Sequence, residues 1–143
     1  MNFRPQKGTA CQLIAAVNAR IYLGLDDIVE EEFERLVDVV GARYGAAIRV
    51  HQAYPSLCLV HEDYPGQDTP DLAWVSANLP VEVAYYDRKY GFHAALVVDA
   101  DDTHVMLANA DDEVQAWENI SFPPFPYQRR FRSFRLLEIV AHR

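Results

Sequence analysis

Apolar residues in the first part of the chain follow the spacing of two helices. The stretch from Cys11 to Tyr22 is almost continuously apolar, and Gly24 follows it as a helix stop. A second apolar stripe begins after Asp26 and Asp27, which can cap a helix N-terminus, and Gly41 ends it. The sequence therefore predicts two helices before residue 42. The second stripe comprises Ile28, Phe33, Leu36, Val37 and Val40.

Short apolar runs typical of β-strands replace the helical pattern in the second half of the chain. The acidic segment from Asp99 to Thr103 is predicted as a turn that joins two of these strands. Helices first and an antiparallel sheet afterwards predict an α+β fold, with an N-terminal helical half packed on a C-terminal antiparallel β-sheet. The predicted strands are residues 81–86, 92–98, 104–107 and 134–140.

The middle of the chain gives weaker signals. Residues 46–50 fit either a short strand or the tail of a helix, and residues 56–60 are equally ambiguous. Residues 61–68 are predicted as a loop because they combine proline, glycine and acidic side chains. Thr69 is predicted to cap a short helix that has Pro70 in its first turn.

Composition limits the classes of protein that this chain can be. Its 143 residues, half of them hydrophobic, suffice for one domain, residues 1–143, with a real core. A formal net charge of −8 argues against binding to the backbone of a nucleic acid. No run approaches the roughly 20 apolar residues that span a bilayer, and the N-terminus lacks the apolar core of a signal peptide. We therefore expect a cytoplasmic protein that binds neither nucleic acid nor membrane.

The two cysteines lie in different contexts. Cys58 is embedded in an apolar run, which predicts a buried structural thiol. Two cysteines are too few to indicate a disulfide framework. Cys11 begins the first predicted helix, where the macrodipole biases a thiol toward the thiolate. The histidines outside the site considered below show no spacing typical of a metal site, so neither a metal nor a cofactor is expected. Those histidines are His51, His61, His104 and His142.

A histidine and an asparagine further along the chain could support Cys11 as a nucleophile. A catalytic cysteine needs a base to take its proton and a third group to orient that base. His93 stands at the start of an apolar predicted strand, and Asn109 follows the next strand after a tight turn. The cysteine belongs to the helical half and the histidine to the sheet half, so a cleft between the halves is expected.

The order of these residues resembles that of the papain-like cysteine peptidases. In size the chain is most similar to the bacterial double-glycine leader peptidase domains. Three segments carry the resemblance: Gln6 to Asn18, His93 to Val98, and Leu107 to Asp111. It implies a papain-like fold and a peptide or protein substrate.

The chain departs from the leader peptidases at two points. Their cysteine is often preceded by Asp or followed by Gly, whereas Cys11 lies between Ala10 and Gln12. They also tend to have an Asp-Pro pair where this chain has Asn109 and Ala110, which brings the site closer to the papain form.

The resemblance implies a role for each residue. Cys11 attacks a carbonyl carbon, and His93 takes the thiol proton and returns it to the leaving amine. Asn109 holds the imidazole in the correct tautomer through its side-chain oxygen. Gln6 lies five residues before Cys11 and could donate its amide N–H to the developing oxyanion, together with the backbone N–H of Cys11.

Asp111 competes with Asn109 for the orienting role. It lies two residues further on and would face the same side of an extended segment. We favour Asn109, because a residue just after the second strand of an antiparallel pair returns near the start of the first strand, where His93 lies. Asp111 would lie about 6–7 Å further along.

Two functional hypotheses follow. The first is a cysteine peptidase or related thiol acyl-transfer enzyme that forms a thioester on Cys11. The second is a catalytically silent papain-like module that binds a partner protein. Its binding surface would be the cleft or the basic stretch of Arg129, Arg130, Arg132 and Arg135, which is otherwise expected to be a solvated strand face. Faster alkylation of Cys11 than of Cys58 would favour the enzyme.

Overall fold

A computed structural model of the protein describes residues 2–5, 11–25, 28–41, 55–66, 68–87, 91–108, 114–120 and 131–137. The fold is α+β, as predicted. Its helices are α1 (Cys11–Tyr22), α2 (Glu30–Gly41) and α3 (Leu72–Ala77), with short 3-10 helices at Pro55–Leu57 and Trp117–Asn119. Its strands are β1 (Leu59–Asp63), β2 (Val81–Asp87), β3 (Gly91–Ala100), β4 (His104–Leu107), β5 (Val114–Ala116) and β6 (Phe131–Leu136).

The strands of the described residues form one antiparallel sheet in the order β1-β6-β2-β3-β4-β5. Side chains alternate between its two faces. Leu96, Val98 and Phe134 pack against α1 on one face. On the other face, Val83 and Val97 pack with Val75 of α3. The sheet is therefore covered on both faces, and β2 and β3 are buried between the two layers.

The predicted boundaries of α1 are confirmed. Gly24 adopts a positive φ of 96° and donates its N–H to the carbonyl of Ile21 at 3.1 Å. The N–H of Leu25 reaches the carbonyl of Arg20 at 2.9 Å. These two bonds form the Schellman arrangement, which satisfies carbonyls left free at the end of a helix and favours glycine at this position.

The second predicted helix is also present. Helix α2 has glutamates at its first three positions, where negative charge opposes the positive end of the helix dipole. Its Phe33 and Leu36 are buried in the core, and its last residue is Gly41, as predicted. The proposed capping residues, Asp26 and Asp27, lie outside the described residues, as do residues 46–50.

The prediction that residues 61–68 form a loop is wrong for residues 61–63. Strand β1 continues through Asp63 and pairs with β6, in which Arg132 lies opposite Asp63. Opposite charges at directly facing positions stabilise an antiparallel pair. Local polarity therefore suggested a loop, whereas a partner strand about seventy residues away makes these residues a strand. Residues 56–60 divide between the 3-10 helix and β1.

The cap of α3 also differs from the prediction. Asp71, and not Thr69, precedes this helix, and its carboxylate accepts a hydrogen bond from the N–H of Trp74 at 2.9 Å. Aspartate is among the strongest N-capping residues. The helix therefore begins at Leu72, three residues after the predicted cap.

Four predicted strands correspond to β2, β3, β4 and β6. Strand β4 has the predicted bounds, and β2 and β3 are slightly longer than predicted. Strand β6 starts at Phe131, before the predicted residue 134, and residues beyond Leu137 are outside the described part. The acidic turn between β3 and β4 is confirmed, since the Asp101 carboxylate accepts from the backbone N–H groups of Thr103 and His104.

Replacing Gly24 with alanine should lower the free energy of unfolding by about 1–2 kcal/mol, the cost of a left-handed backbone for a residue with a Cβ. An added Cβ would meet no atom within 4 Å, so the loss is one of backbone strain alone. Urea denaturation measures it. Gly24→Asn, which tolerates this conformation better, should lose less. Equal stability of Gly24→Ala and the wild type would show that the positive φ at Gly24 costs alanine nothing.

Candidate functional site

Cys11 is the first residue of α1 and is buried, with 5% of its surface exposed. The backbone N–H of Ala94 on β3 lies close enough to the sulfur to lower the pKa of the thiol, and the N–H groups of Gln12 and of Cys11 itself act in the same direction. The start of α1 is thereby brought against the strand that carries His93.

The edge of β3 explains why the N–H of Ala94 is available to the thiol. The carbonyl of Leu96 accepts from the N–H of Ala108 at 2.8 Å, just after β4 ends. Backbone groups two residues apart in a strand point to the same side, so the N–H of Ala94 also points to the β4 side. Among the described residues, β4 ends at Leu107, which pairs with Val97, so no described residue of β4 faces Ala94.

Small side chains let α1 approach the sheet at this point. Ala84 on β2 lies directly opposite Ala94 on β3, and both are buried. Their Cβ atoms lie on the same face as Leu96, which α1 covers. Larger residues here would hold the first turn of α1 away from the sheet.

His93 directly precedes Ala94 and is almost fully buried. It lies opposite Tyr85 on β2, and the two rings meet edge to face with centroids 5.6 Å apart. The imidazole therefore extends from the face of the sheet opposite to α1, while the thiol lies at the strand edge beside the next residue. The structure brings Cys11 and the backbone next to His93 together.

Burial raises the pKa of the Cys11 thiol, and the nearby carboxylate of Glu82 raises it further. The N–H of Ala94 acts in the opposite direction without reversing the shift. The expected bias toward thiolate is therefore wrong. A helix N-terminus is worth only about 0.3–1 kcal/mol, whereas burial alone can shift a pKa by up to about 3–5 units, each worth 1.36 kcal/mol.

Glu82 forms a buried ion pair that the sequence analysis missed. It lies opposite Arg132 of β6, and its Oε1 is 3.3 Å from the Arg132 Nε. Arg132 is 4% exposed, so its assignment to a solvated strand face is wrong. Arg135 is exposed as expected, and Arg129 and Arg130 lie outside the described residues. In the sequence, the one sign of this buried ion pair is the charged Glu82 between the apolar residues Val81 and Val83.

Gln6, Asn109 and Asp111 lie outside the described residues, so the structure does not place them. Their described neighbours are Pro5 on one side and Ala108 on the other. Ala108 lies level with Leu96 on β3, three residues from His93, because Leu107 pairs with Val97. That Asn109 returns near His93 and bonds its imidazole therefore stays a prediction, as does the choice of Asn109 over Asp111.

Cys58 is not a buried thiol. It is partly exposed, has a positive φ of 57°, and its thiol lies 3.5 Å from the carbonyl of Ser56. Strand β1 begins one residue later, at Leu59, so Cys58 occupies the bend that leads into it.

Within the described ranges no three histidine, cysteine or acidic side chains are grouped as a metal site would require. No helix in the same ranges is long and apolar enough to cross a membrane.

No protein-family model matches the chain, and no curated protein matches it significantly. The functional assignment therefore depends on the geometry around Cys11.

Glu82→Gln should lower the pKa of Cys11. The substitution removes the negative charge that opposes thiolate formation and leaves the positive charge of Arg132, which favours it. The pH midpoint of Cys11 alkylation by iodoacetamide, measured in a Cys58→Ala background, should therefore shift to lower pH. Burial still acts, so the midpoint should stay above that of the unfolded chain.

Glu62→Gln is the matched control, since this carboxylate is exposed on the edge strand β1. Its midpoint should equal that of the parent protein. An unchanged midpoint in Glu82→Gln would show that the carboxylate does not act on the thiol. Loss of one partner of a buried pair costs up to about 3–5 kcal/mol, so folding is checked by circular dichroism.

Proposed function

We propose that the protein is a thiol acyl-transfer enzyme of the cysteine peptidase type, with a papain-like fold. Its substrate would be a peptide or isopeptide bond in a peptide or protein. The observation that supports this most is that the first turn of α1 brings the Cys11 thiol beside Ala94, the neighbour of the buried His93 on β3. A nucleophile and its base must come within hydrogen-bond reach. The proposal therefore requires the imidazole, which extends from the face of the sheet opposite to α1, to reach the sulfur around the edge of β3.

The raised pKa of Cys11 bears on the mechanism. A thiol that is protonated at rest cannot begin as half of an ion pair, so its proton must leave as it attacks. His93 accepts that proton while the sulfur bonds to the carbonyl carbon. The C–N bond then breaks, and the imidazole delivers the proton to the leaving amine, which leaves a thioester on Cys11.

Hydrolysis of the thioester reverses the roles. His93 takes a proton from water, the water oxygen bonds to the carbonyl carbon, and the bond from that carbon to the sulfur breaks. The imidazole returns the proton to the sulfur, which restores the thiol. Both steps pass through an oxyanion, for which Gln6 and the backbone N–H of Cys11 are the proposed donors.

A second candidate function is the silent papain-like module, and one observation favours it. The thiol is buried and its pKa is raised, which suits a structural cysteine as well as one activated only during attack. In that case a peptide or protein partner would bind without a covalent step. A covalent intermediate on Cys11 separates the two functions.

Incubation with p-nitrophenyl acetate should acetylate Cys11, and intact-mass spectrometry detects the adduct. Cys11→Ala should abolish the adduct and keep the fold. His93→Ala should slow its formation by about 10²–10⁴-fold, as expected for loss of a general base. Cys58→Ala is the matched control and should keep the wild-type rate. A wild-type protein that forms no adduct on Cys11 would leave the binding module as the function.

Asn109→Ala should slow acetylation by about 10–100-fold through loss of the group that orients the imidazole. The proposal keeps Asn109 in this role because its amide adds no charge. A second carboxylate beside Glu82 would further oppose ionisation of the thiol. Asp111→Ala is the paired variant, with an expected change below threefold. If Asp111→Ala is the more damaging, the site is of the Cys-His-Asp kind.

A further inference from the structure

Asn18 is a fully buried polar residue in the apolar stripe of α1. Its Oδ1 accepts from the backbone N–H of Arg4 at 2.7 Å. Its Nδ2 donates to the carbonyl of Arg4 at 3.1 Å and to that of Ala108 at 3.0 Å. One side chain therefore joins the N-terminal segment, α1 and the end of β4.

The three joined segments each lead to a residue of the proposed site. Arg4 lies two residues before Gln6, and Ala108 directly precedes Asn109. Asn18 is seven residues, or about two turns, after Cys11 on the same helix, so the two side chains project from the same side of α1. The described residues that lead to Gln6 and to Asn109 thus meet the helix of Cys11 at one carboxamide.

The chemistry of these bonds requires a carboxamide. The position uses one acceptor and two donors, which asparagine supplies together. Aspartate would keep the acceptor but point a negative charge at the carbonyls of Arg4 and Ala108. An apolar residue would leave the buried backbone groups without their partner, at about 1–3 kcal/mol for each group.

The side chain of Arg4 makes contacts of its own, in addition to the backbone bonds to Asn18. Its guanidinium donates to Glu30 at 3.1 Å and to the carbonyl of Ile28 at 3.0 Å. It also lies 3.9 Å from the ring centroid of Phe33 on α2. The segment that leads to Gln6 is therefore attached to both helices, so its position depends on Asn18 and on Arg4.

We propose that Asn18 is a positioning residue for thiol acyl transfer. It holds residues 2–5 and Ala108 against the helix of the nucleophile, and so sets where the segments carrying Gln6 and Asn109 begin. It touches none of the reacting atoms. The proposal rests on the proposed function, and it predicts a loss of acyl transfer that leaves the reactivity of the thiol itself unchanged.

Two reactions of Cys11, both measured in a Cys58→Ala background, distinguish acyl transfer from the reactivity of the thiol itself. Acetylation by p-nitrophenyl acetate needs the oxyanion donors and an oriented base, whereas alkylation by iodoacetamide needs only the thiolate. Asn18→Asp and Asn18→Ala should lower the acetylation rate at least tenfold, since displacements near 1 Å can cost about 10²-fold. The alkylation rate of Asn18→Ala should stay within twofold of the parent, which corresponds to about 0.3 pKa unit, and its pH midpoint should be unchanged within that range. Asn18→Asp adds a carboxylate on the side of α1 that carries Cys11, so only its acetylation rate is compared.

Arg4→Ala is a second variant, in case both Asn18 variants unfold. It removes the attachment to α2 through a side chain that is 14% exposed, and it leaves the backbone bonds to Asn18 in place. It should lower acetylation in the same selective way. If the Asn18 variants do not fold, the Arg4→Ala variant decides. A folded Arg4→Ala protein that acetylates Cys11 at the parental rate would show that the attachment of residues 2–5 does not affect acyl transfer, and this would overturn the proposal.

Two controls exclude general destabilisation. Leu59→Ala removes core contacts of strand β1, which β6 and β2 separate from β3, and lowers the melting temperature away from the network. Asn78→Ala removes an asparagine side chain that bonds the carbonyl of Trp74. Both should acetylate at the parental rate. If Leu59→Ala loses as much acetylation as the Asn18 variants at equal loss of stability, or if the Asn18 variants acetylate at the parental rate, Asn18 is purely structural.

A parent protein that shows no acetylation of Cys11 would refute the proposed function, and the role of Asn18 with it. Normal acetylation of the parent together with unaffected Asn18 variants would refute the role of Asn18 alone.

Discussion

The packing of α1 on the central strands is the constraint on which the rest of the structure depends. Eight of its twelve residues are buried, from Cys11 at its start to Ala19. Burial of an apolar helix face stabilises the folded state by roughly 25 cal/mol for each Å² of apolar surface removed from water. The contact between α1 and the sheet is therefore a large part of the free energy that holds the core together. Cys11 is buried because it begins this helix and because Ala84 and Ala94 allow a close approach. The position of the thiol is therefore a consequence of core packing before it is one of chemistry.

The position of the thiol in the packed core explains why the pKa of Cys11 is raised. A thiol carried into a core loses hydration as an anion, and no helix dipole compensates for a loss of that size. Glu82 and Arg132 enter the same buried layer as a pair, whose charges offset each other at 3.3 Å. Their net effect on Cys11 still raises its pKa through the carboxylate. A mechanism in which the proton moves during attack keeps the resting site free of a further buried charge.

The sequence predicted those features that depend on neighbouring residues. Both ends of α1 follow from its apolar stripe and from Gly24, and the bounds of β4 follow from the acidic turn before it. Prediction from the sequence was wrong where a residue distant in the chain determines the local structure. Residues 61–63 form a strand because β6 pairs with them, and Arg132 is buried because Glu82 lies opposite. No local pattern contains either pairing. The position of Ala108 beside Leu96 could not be predicted either, because the register of β3 and β4 cannot be read from turn length alone.

Asn18 and Glu82 were missed for a common reason. Each is a single polar residue in an apolar stripe, and pattern analysis treats such a residue as an imperfection of the stripe. Burying it is costly unless every polar group finds a partner, so a fully buried carboxamide with three backbone bonds indicates a requirement for that position. The bonds of Asn18 join segments far apart in sequence, which apolar packing would hold with less precise geometry. Small displacements of these segments change stability little, but displacements near 1 Å at reacting atoms slow a reaction greatly. The buried Asn18 is therefore expected to affect acyl transfer at Cys11 more than the apolar residues around it do.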